Sequence, residues 1–143
     1  EQKGEKGKWV FTLQAPSYIA LMTYNQNRGL REKMYRAFSK RANQNNDFDN
    51  KTIVKKIVKL RHQRANLLGY QSHAYFKLEE RMAKTPETVN SFLADMLTKA
   101  KSFAEKEVAE MQTYAKKLDN IEKLERWDWS YYAEKLTYFI DFQ

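Results

Sequence analysis

From Pro86 to Leu118 the chain runs without a glycine or a second proline. Within that stretch Leu93, Leu97, Ala100, Ala104, Val108, Met111, Ala115 and Leu118 recur at steps of three or four. Such spacing stacks apolar side chains along one face of a helix that turns every ~3.6 residues. It predicts one uninterrupted helix of roughly 50 Å, at ~1.5 Å per residue. A small independent domain rarely needs one so long. The start is written in Thr85-Pro86-Glu87: a hydroxyl that can accept a free backbone N–H, a proline suited to the first turn, and an acid beside the positive helix end. Breakers are scarce throughout, with four Gly and two Pro in 143 residues, which favours helices over turn-rich sheets and barrels.

Other segments read in the same way. Lys8-Trp9-Val10-Phe11-Thr12-Leu13 is short, aromatic and β-branched and precedes Pro16, so an extended segment is expected there, the one strand candidate. A helical turn is expected from Ser17 to Tyr24. A helix near Asn27 to Arg41 follows, with Leu30, Met34, Ala37 and Phe38 on its apolar face and cations on the other. Ala42 to Asp47 is polar and turn-forming, and Asp49 or Asn50 can cap a helix at 50–68. That helix carries Ile53, Val54, Ile57, Val58, Leu60, Ala65 and Leu68 on a broad apolar face, and Gly69 supplies the left-handed residue that ends it. A shorter helix from Ser72 to about Met82 turns Ala74, Tyr75, Leu78 and Met82 inward. After the long helix come Trp127-Asp128-Trp129-Ser130-Tyr131-Tyr132, a helical Ala133 to Leu136, and Tyr138-Phe139-Ile140-Asp141-Phe142. No repeat of 20 to 50 residues is visible. The expected fold is all-α: an irregular multi-helix bundle with one very long helix and a short N-terminal extended segment, of a size that fits one domain.

Hydrophobic residues make up 42% and aromatics 14% of the chain, enough apolar area for a core. No run of about 18 apolar residues exists, so no membrane-spanning helix is expected. With no Cys, disulfides and thiolate metal sites are excluded, while cytoplasm and periplasm stay equally open. Residues 1–8, from Glu1 to Lys8, form a charged lead without apolar periodicity and read as flexible, and as a cut start rather than a native one. Charge is lopsided. Residues 1–78 hold 16 Lys or Arg against 5 Asp or Glu, and residues 79–143 hold 10 against 13, which together make the net +8.

Catalytic patterns are missing. A helical zinc peptidase needs two His one turn apart with a Glu between, H-E-x-x-H. The two histidines, His62 and His73, lie on different predicted helices, and His62 is followed by Gln63 and His73 by Ala74. As surface imidazoles they are better explained than as a metal pair. No Cys, G-x-S-x-G or Gly-rich phosphate loop supports nucleophilic or nucleotide chemistry. Glu79 and Glu80 are adjacent, so on a helix they point ~100° apart and cannot face each other as acid and base. Lys51, Lys55 and Lys59 align at every fourth position and could follow a phosphate backbone. Without an accompanying nucleic-acid motif, a solvated outer face, or a wall against an acidic partner segment, explains them better. The terminal aromatics could stack on a ligand, but beside Leu and Ile they read as core.

Taken in order, the residues resemble a known family. Trp9, Thr12-Leu13, Pro16, Tyr18 and Met22 are similar to the W-x-x-T-L-x-x-P-x-Y-x-x-x-M pattern of zinc peptidases of the thimet oligopeptidase and peptidyl-dipeptidase family. Asn27-Arg28, Leu30-Arg31-Glu32, Tyr35, Ala37 and Arg41 resemble its bacterial peptidyl-dipeptidase branch. Further likenesses are Asp49-Asn50, Ile57, Leu60-Arg61, Ala65, Leu67-Leu68-Gly69-Tyr70, Ala74, Leu78-Glu79, Met82-Ala83, Phe92-Leu93 and Trp127 to Tyr132. They cover almost everything from Trp9 to Asp141. The resemblance implies a helical, two-lobed parent with a deep channel for short peptides, cut as C-terminal dipeptides or internally. Residues 9–143 would be a helical segment of that parent. The family's zinc ligands and general base lie in H-E-x-x-H and a later Glu, downstream of this segment, so the resemblance assigns no catalytic, cofactor-binding or metal residue here. What it carries over is structural: Leu68-Gly69-Tyr70 as a helix stop, Trp127 to Tyr132 as an anchoring cluster, and the basic helix as a channel wall.

The expected function is therefore a scaffold or channel-wall fragment of a zinc-dependent peptidyl-dipeptidase or oligopeptidase, inert on its own, with the rest of the parent chain as partner and oligopeptides as the parent's substrate. The alternative is a basic helical module that binds nucleic acid or an acidic protein, and a helical interaction scaffold is a third reading. A fragment leaves faces uncovered, so exposed apolar surface and self-association are expected as well.

Overall fold

The computed structural model describes residues 7–141, with side chains described through Thr137. The lead before Gly7 and the aromatic side chains from Tyr138 onward lie outside the described residues. Six helices follow in chain order: α1 (Ala15–Tyr24), α2 (Arg28–Ser39), α3 (Lys51–Leu67), α4 (His73–Leu78), α5 (Pro86–Asp119) and α6 (Trp129–Asp141). The protein is all-α. Among the described residues there is no strand, and Val10 to Thr12 have no neighbouring strand to complete a ladder. The Thr12 N–H donates instead to Ser17 Oγ at 3.0 Å. No helix among the described residues is long and apolar enough to cross a membrane.

Local chemistry sets the helix ends. Asn27 Oδ1 accepts from the Leu30 N–H at 3.1 Å and caps α2. At α3 the accepting side chain is Asp49, which takes the Lys51 N–H at 2.9 Å and the Asn45 N–H at 2.7 Å. Those two bonds, the one from Lys51 first, hold its carboxyl below the usual range. Thr85 Oγ1 accepts from the Thr88 N–H at 3.3 Å at the start of α5, with Pro86 as the first helical residue. The long helix is continuous for 34 residues.

α3 stops as its sequence directs. Gly69 has φ of +83°, its N–H reaches Asn66 O at 3.0 Å, and the Tyr70 N–H reaches back to Ala65 O at 2.9 Å. These two bonds satisfy carbonyls the helix end would leave free. A Cβ at Gly69 would meet nothing within 4 Å, so Gly69→Ala isolates the backbone term. We expect it to destabilise α3 by roughly 1–2 kcal/mol, read as faster amide exchange at the C-terminal turn of α3.

The chain divides into two compact units, residues 1–41 with 107–143, and residues 42–106. In the first unit α1 packs on α2 and on α6. Leu21, Met22 and Met34 are buried together, with Leu13, Tyr18, Tyr35 and Trp127 against them. Met111 and Ala115 of α5 are buried with Tyr131 and Tyr132 of α6, flanked by Tyr114, Ile121 and Leu124. In the second unit α4 packs on α3, and Ala65 is the one buried side chain among its described residues.

Several faces differ from the reading by periodicity. On α2, Met34 is buried, but Leu30 and Ala37 are exposed and the neighbouring Arg31 is buried at 1% exposure. The reason is a carboxylate described below. On α3 the aliphatic stripe is exposed apart from Ala65, and on α5 only Met111 and Ala115 of the eight apolar positions are buried. α4 ends at Leu78, with Tyr75 and Leu78 half-buried, Ala74 exposed and Met82 fully exposed beyond the helix.

Candidate functional site

The best-built polar arrangement sits in the first unit and joins two segments a hundred residues apart. The turn at Asn25 and Gln26 feeds α2, whose first turn carries Arg28 and Arg31, three residues apart and so on one side of the helix. The turn at Glu125 to Asp128 feeds α6, where the Tyr132 N–H makes its first helical bond to Asp128 O at 3.0 Å. Asp128 thus stands at the positive end of α6, which favours its negative charge.

Asp128 is fully buried, and its two oxygens are fully engaged. Oδ1 accepts from Arg28 Nε and Arg31 Nη2, each at 3.0 Å. Oδ2 accepts from Arg28 Nη2 at 2.7 Å, from Arg28 Nε at 3.1 Å and from the Glu125 N–H at 3.0 Å. Burial pushes the carboxyl up, but hydrogen bonds from Arg28, the Glu125 N–H and Arg31 together outweigh it and hold the group below its ordinary value. Arg31 spends its remaining donors on carbonyls: Nε on Trp127 O at 3.1 Å, and Nη1 on Asn25 O at 2.8 Å and Gln26 O at 3.2 Å. Its guanidinium lies 4.2 Å from the centre of the Tyr131 ring, a cation–π contact in a dry setting. Arg28 is partly exposed and also donates to Lys123 O at 3.3 Å.

The aromatics of the motif enclose this cluster. Tyr132, 1% exposed, donates to Asp119 Oδ2 at 2.8 Å. Burial first, and then Asp119, push its phenol well above the ordinary tyrosine range. Tyr131 is edge-on to Tyr132 at 5.1 Å. The Trp127 ring is 5.9 Å from the Tyr35 ring and 5.0 Å from the Arg36 guanidinium. Gln112 ties the preceding loop to α5, donating to Ile121 O and accepting from the Leu124 N–H, both at 2.8 Å.

Chemically, the cluster positions the chain. A carboxylate with depressed pKa and every lone pair taken holds no proton near neutrality and offers no oxygen to a substrate. Its effect is to lock the entry of α2 to the entry of α6.

The other residues singled out by sequence lie in the second unit. Lys51, Lys55 and Lys59 are exposed along α3. Glu79 accepts the Tyr70 hydroxyl and Glu80 is exposed beside it. His62 is exposed and its Nε2 lies 3.1 Å from the Asn66 amide. His73 is half-buried, its Nδ1 without a hydrogen-bond partner; burial first, then Arg61, Arg64 and Lys77, disfavour its charged form. A dication there would meet the same three cations. No group of three or more His, Asp or Glu that could hold a metal ion occurs among the described residues.

Residues 21–139 match peptidase family M3. The chain is 40% identical to oligopeptidase A of Salmonella typhimurium over 139 residues, which is 94% of this chain and 20% of that protein. The chain belongs to peptidase family M3. Oligopeptidase A of Escherichia coli is also 40% identical, over 89% of this chain and 19% of its own length. Dipeptidyl carboxypeptidase of Escherichia coli is 32% identical over 94% of this chain and 20% of its own. The chain spans about a fifth of the length of these M3 relatives.

Membership agrees with the family resemblance read from the motifs, and the structure shows where two of those motifs meet. Asn27-Arg28 and Arg31 belong to one, and Trp127, Asp128, Tyr131 and Tyr132 to the other. Their contact through Asp128 was not legible in the linear sequence. The available signals were an acid set between two tryptophans and two arginines three apart. Neither says that one answers the other.

Proposed function

We propose that this chain is a scaffold and channel-wall segment of a zinc-dependent M3 peptidase that acts on short peptides, with the catalytic metal held by the remainder of that protein. The observation that carries this reading is the 40% identity over 94% of this chain to a relative of which it spans only 20%. Its described residues supply a locked framework, with no group of three possible metal ligands among them. The identity, 40% to the oligopeptidases A against 32% to the dipeptidyl carboxypeptidase, supports an oligopeptidase parent.

The test has two arms. The purified chain should release no product from a quenched short peptide in a chelator-sensitive manner. A chimera in which this chain replaces the matching segment of the Salmonella oligopeptidase A should fold, retain zinc and cleave the same peptide. Chelator-sensitive turnover by the chain alone would overturn the proposal, as would a folded, zinc-loaded chimera that cleaves nothing.

A further inference from the structure

Every residue of α3 from Lys51 to Arg64 is exposed, and among the described residues α4 is the one helix that packs on it. At about 100° per residue, Ile53, Val54, Ile57, Val58 and Leu60 fall on one half of this helix and Lys51, Lys55, Lys56 and Lys59 on the other. The five aliphatics are 42–60% exposed, in a unit whose one buried side chain among the described residues is Ala65.

The helix is also electrically unfavourable by itself. Lys51, Lys55 and Lys59 are like charges four apart, which destabilise a helix. Its first turn holds no acid, and the Asp49 carboxylate just before it, which accepts the Lys51 N–H at 2.9 Å, is the one negative charge set against the positive helix end. No carboxylate occurs between Asp49 and Glu79, and among the described residues Asp49 alone pairs with a cation of α3, Lys51 at 3.1 Å. α5 differs, since it carries its own pairs, Lys99 with Asp95 and Lys101 with Glu105.

We propose that α3 is one half of a helix pair whose other half is an acidic amphipathic helix supplied by the remainder of the M3 polypeptide. An apolar stripe on that helix covers Ile53, Ile57 and Leu60, and acidic residues flanking the stripe neutralise Lys51, Lys55 and Lys59. Charge complementarity sets the sign of the flank. The source follows from the relatives, of whose length this chain spans a fifth. The inference rests on the proposed reading of the chain as one segment of a longer peptidase.

Three fluorescent helical peptides test the chemistry: a Leu stripe with Glu flanks, the same stripe with Lys flanks, and the Glu flanks with Ser in place of Leu. The first should bind the chain at least about tenfold more tightly than either other, and more weakly at roughly 200 mM than at 50 mM salt. A Lys55→Glu/Lys59→Glu variant should reverse the order of the first two. Equal binding of all three peptides would overturn the proposal. So would tighter binding of single-stranded or duplex nucleic acid, or a dimer of the chain that occupies α3 and is broken by Ile57→Lys.

Amide exchange in the Salmonella chimera tests the source. α3 amides should slow about a hundredfold relative to the isolated chain, and the Glu-flanked peptide should no longer bind. An active chimera with unprotected α3 amides would overturn this inference and leave the peptidase reading standing. A protected α3 in a zinc-loaded but inactive chimera would do the reverse.

Discussion

Asp128→Ala should cost about 3–5 kcal/mol, because it leaves the Arg31 guanidinium buried without its counter-charge. That is a large share of the 5–15 kcal/mol that typically separates folded from unfolded states. Urea unfolding followed by fluorescence, with Trp127 beside the cluster, should show the midpoint falling sharply. Arg31→Ala should be similarly damaging, since it strips four hydrogen bonds and a ring contact from a side chain that is 1% exposed. Arg28→Ala should cost less, because Arg28 is 40% exposed and water already satisfies part of its charge. The double variant Arg31→Met/Asp128→Leu should be less destabilised than either single change, as removing both charges leaves neither stranded. If Asp128→Ala shifted the midpoint no more than an exposed substitution, the cluster would not be the lock described here.

The same carboxylate makes stability fall in acid. Its folded pKa is depressed, so the contribution is fully present above the unfolded value near ~3.9 and is lost as pH falls through the folded value. The loss should therefore lie below about pH 4, and the slope there should flatten in Asp128→Ala. An unchanged acid limb in that variant would mean that other carboxylates carry it.

Tyr132→Ala should cost about 3–5 kcal/mol, the usual range for emptying a buried aromatic site. Tyr132 touches both the α5 core residues and the Asp119 carboxylate. Tyr132→Phe separates the two contributions: it keeps the ring and loses only a hydrogen bond to a charged acceptor, about 1.5–3 kcal/mol. The phenol has a raised folded pKa, so its contribution is complete below the unfolded value near ~10 and is lost as pH rises through the folded value. Tyr132→Phe should flatten stability above about pH 10. Equal midpoints for the Ala and Phe variants would show that ring packing there contributes nothing.

Much of the framework was legible in the linear sequence. The Thr85-Pro86 start of α5 and the Gly69 stop of α3 depend on neighbours one to four residues away, and those signals survive in any context. The ends of α1, α2 and α3 fell within one or two residues of the boundaries set by breakers and caps. Periodicity was less informative about faces. It placed Leu30 on the inner side of α2, where Asp128 drew Arg31 in instead. It turned Met82 inward, where α4 had already ended.

By itself, then, the sequence determined helices, their limits and, through ordered motifs, membership of the family, because these are written in local spacing and in residue identity. Only the tertiary structure decided which of those residues form the lock between α2 and α6, and which apolar faces remain open. Burial of a charge depends on a partner some hundred residues away, and the free energy of that pairing has no trace in the periodicity of either helix.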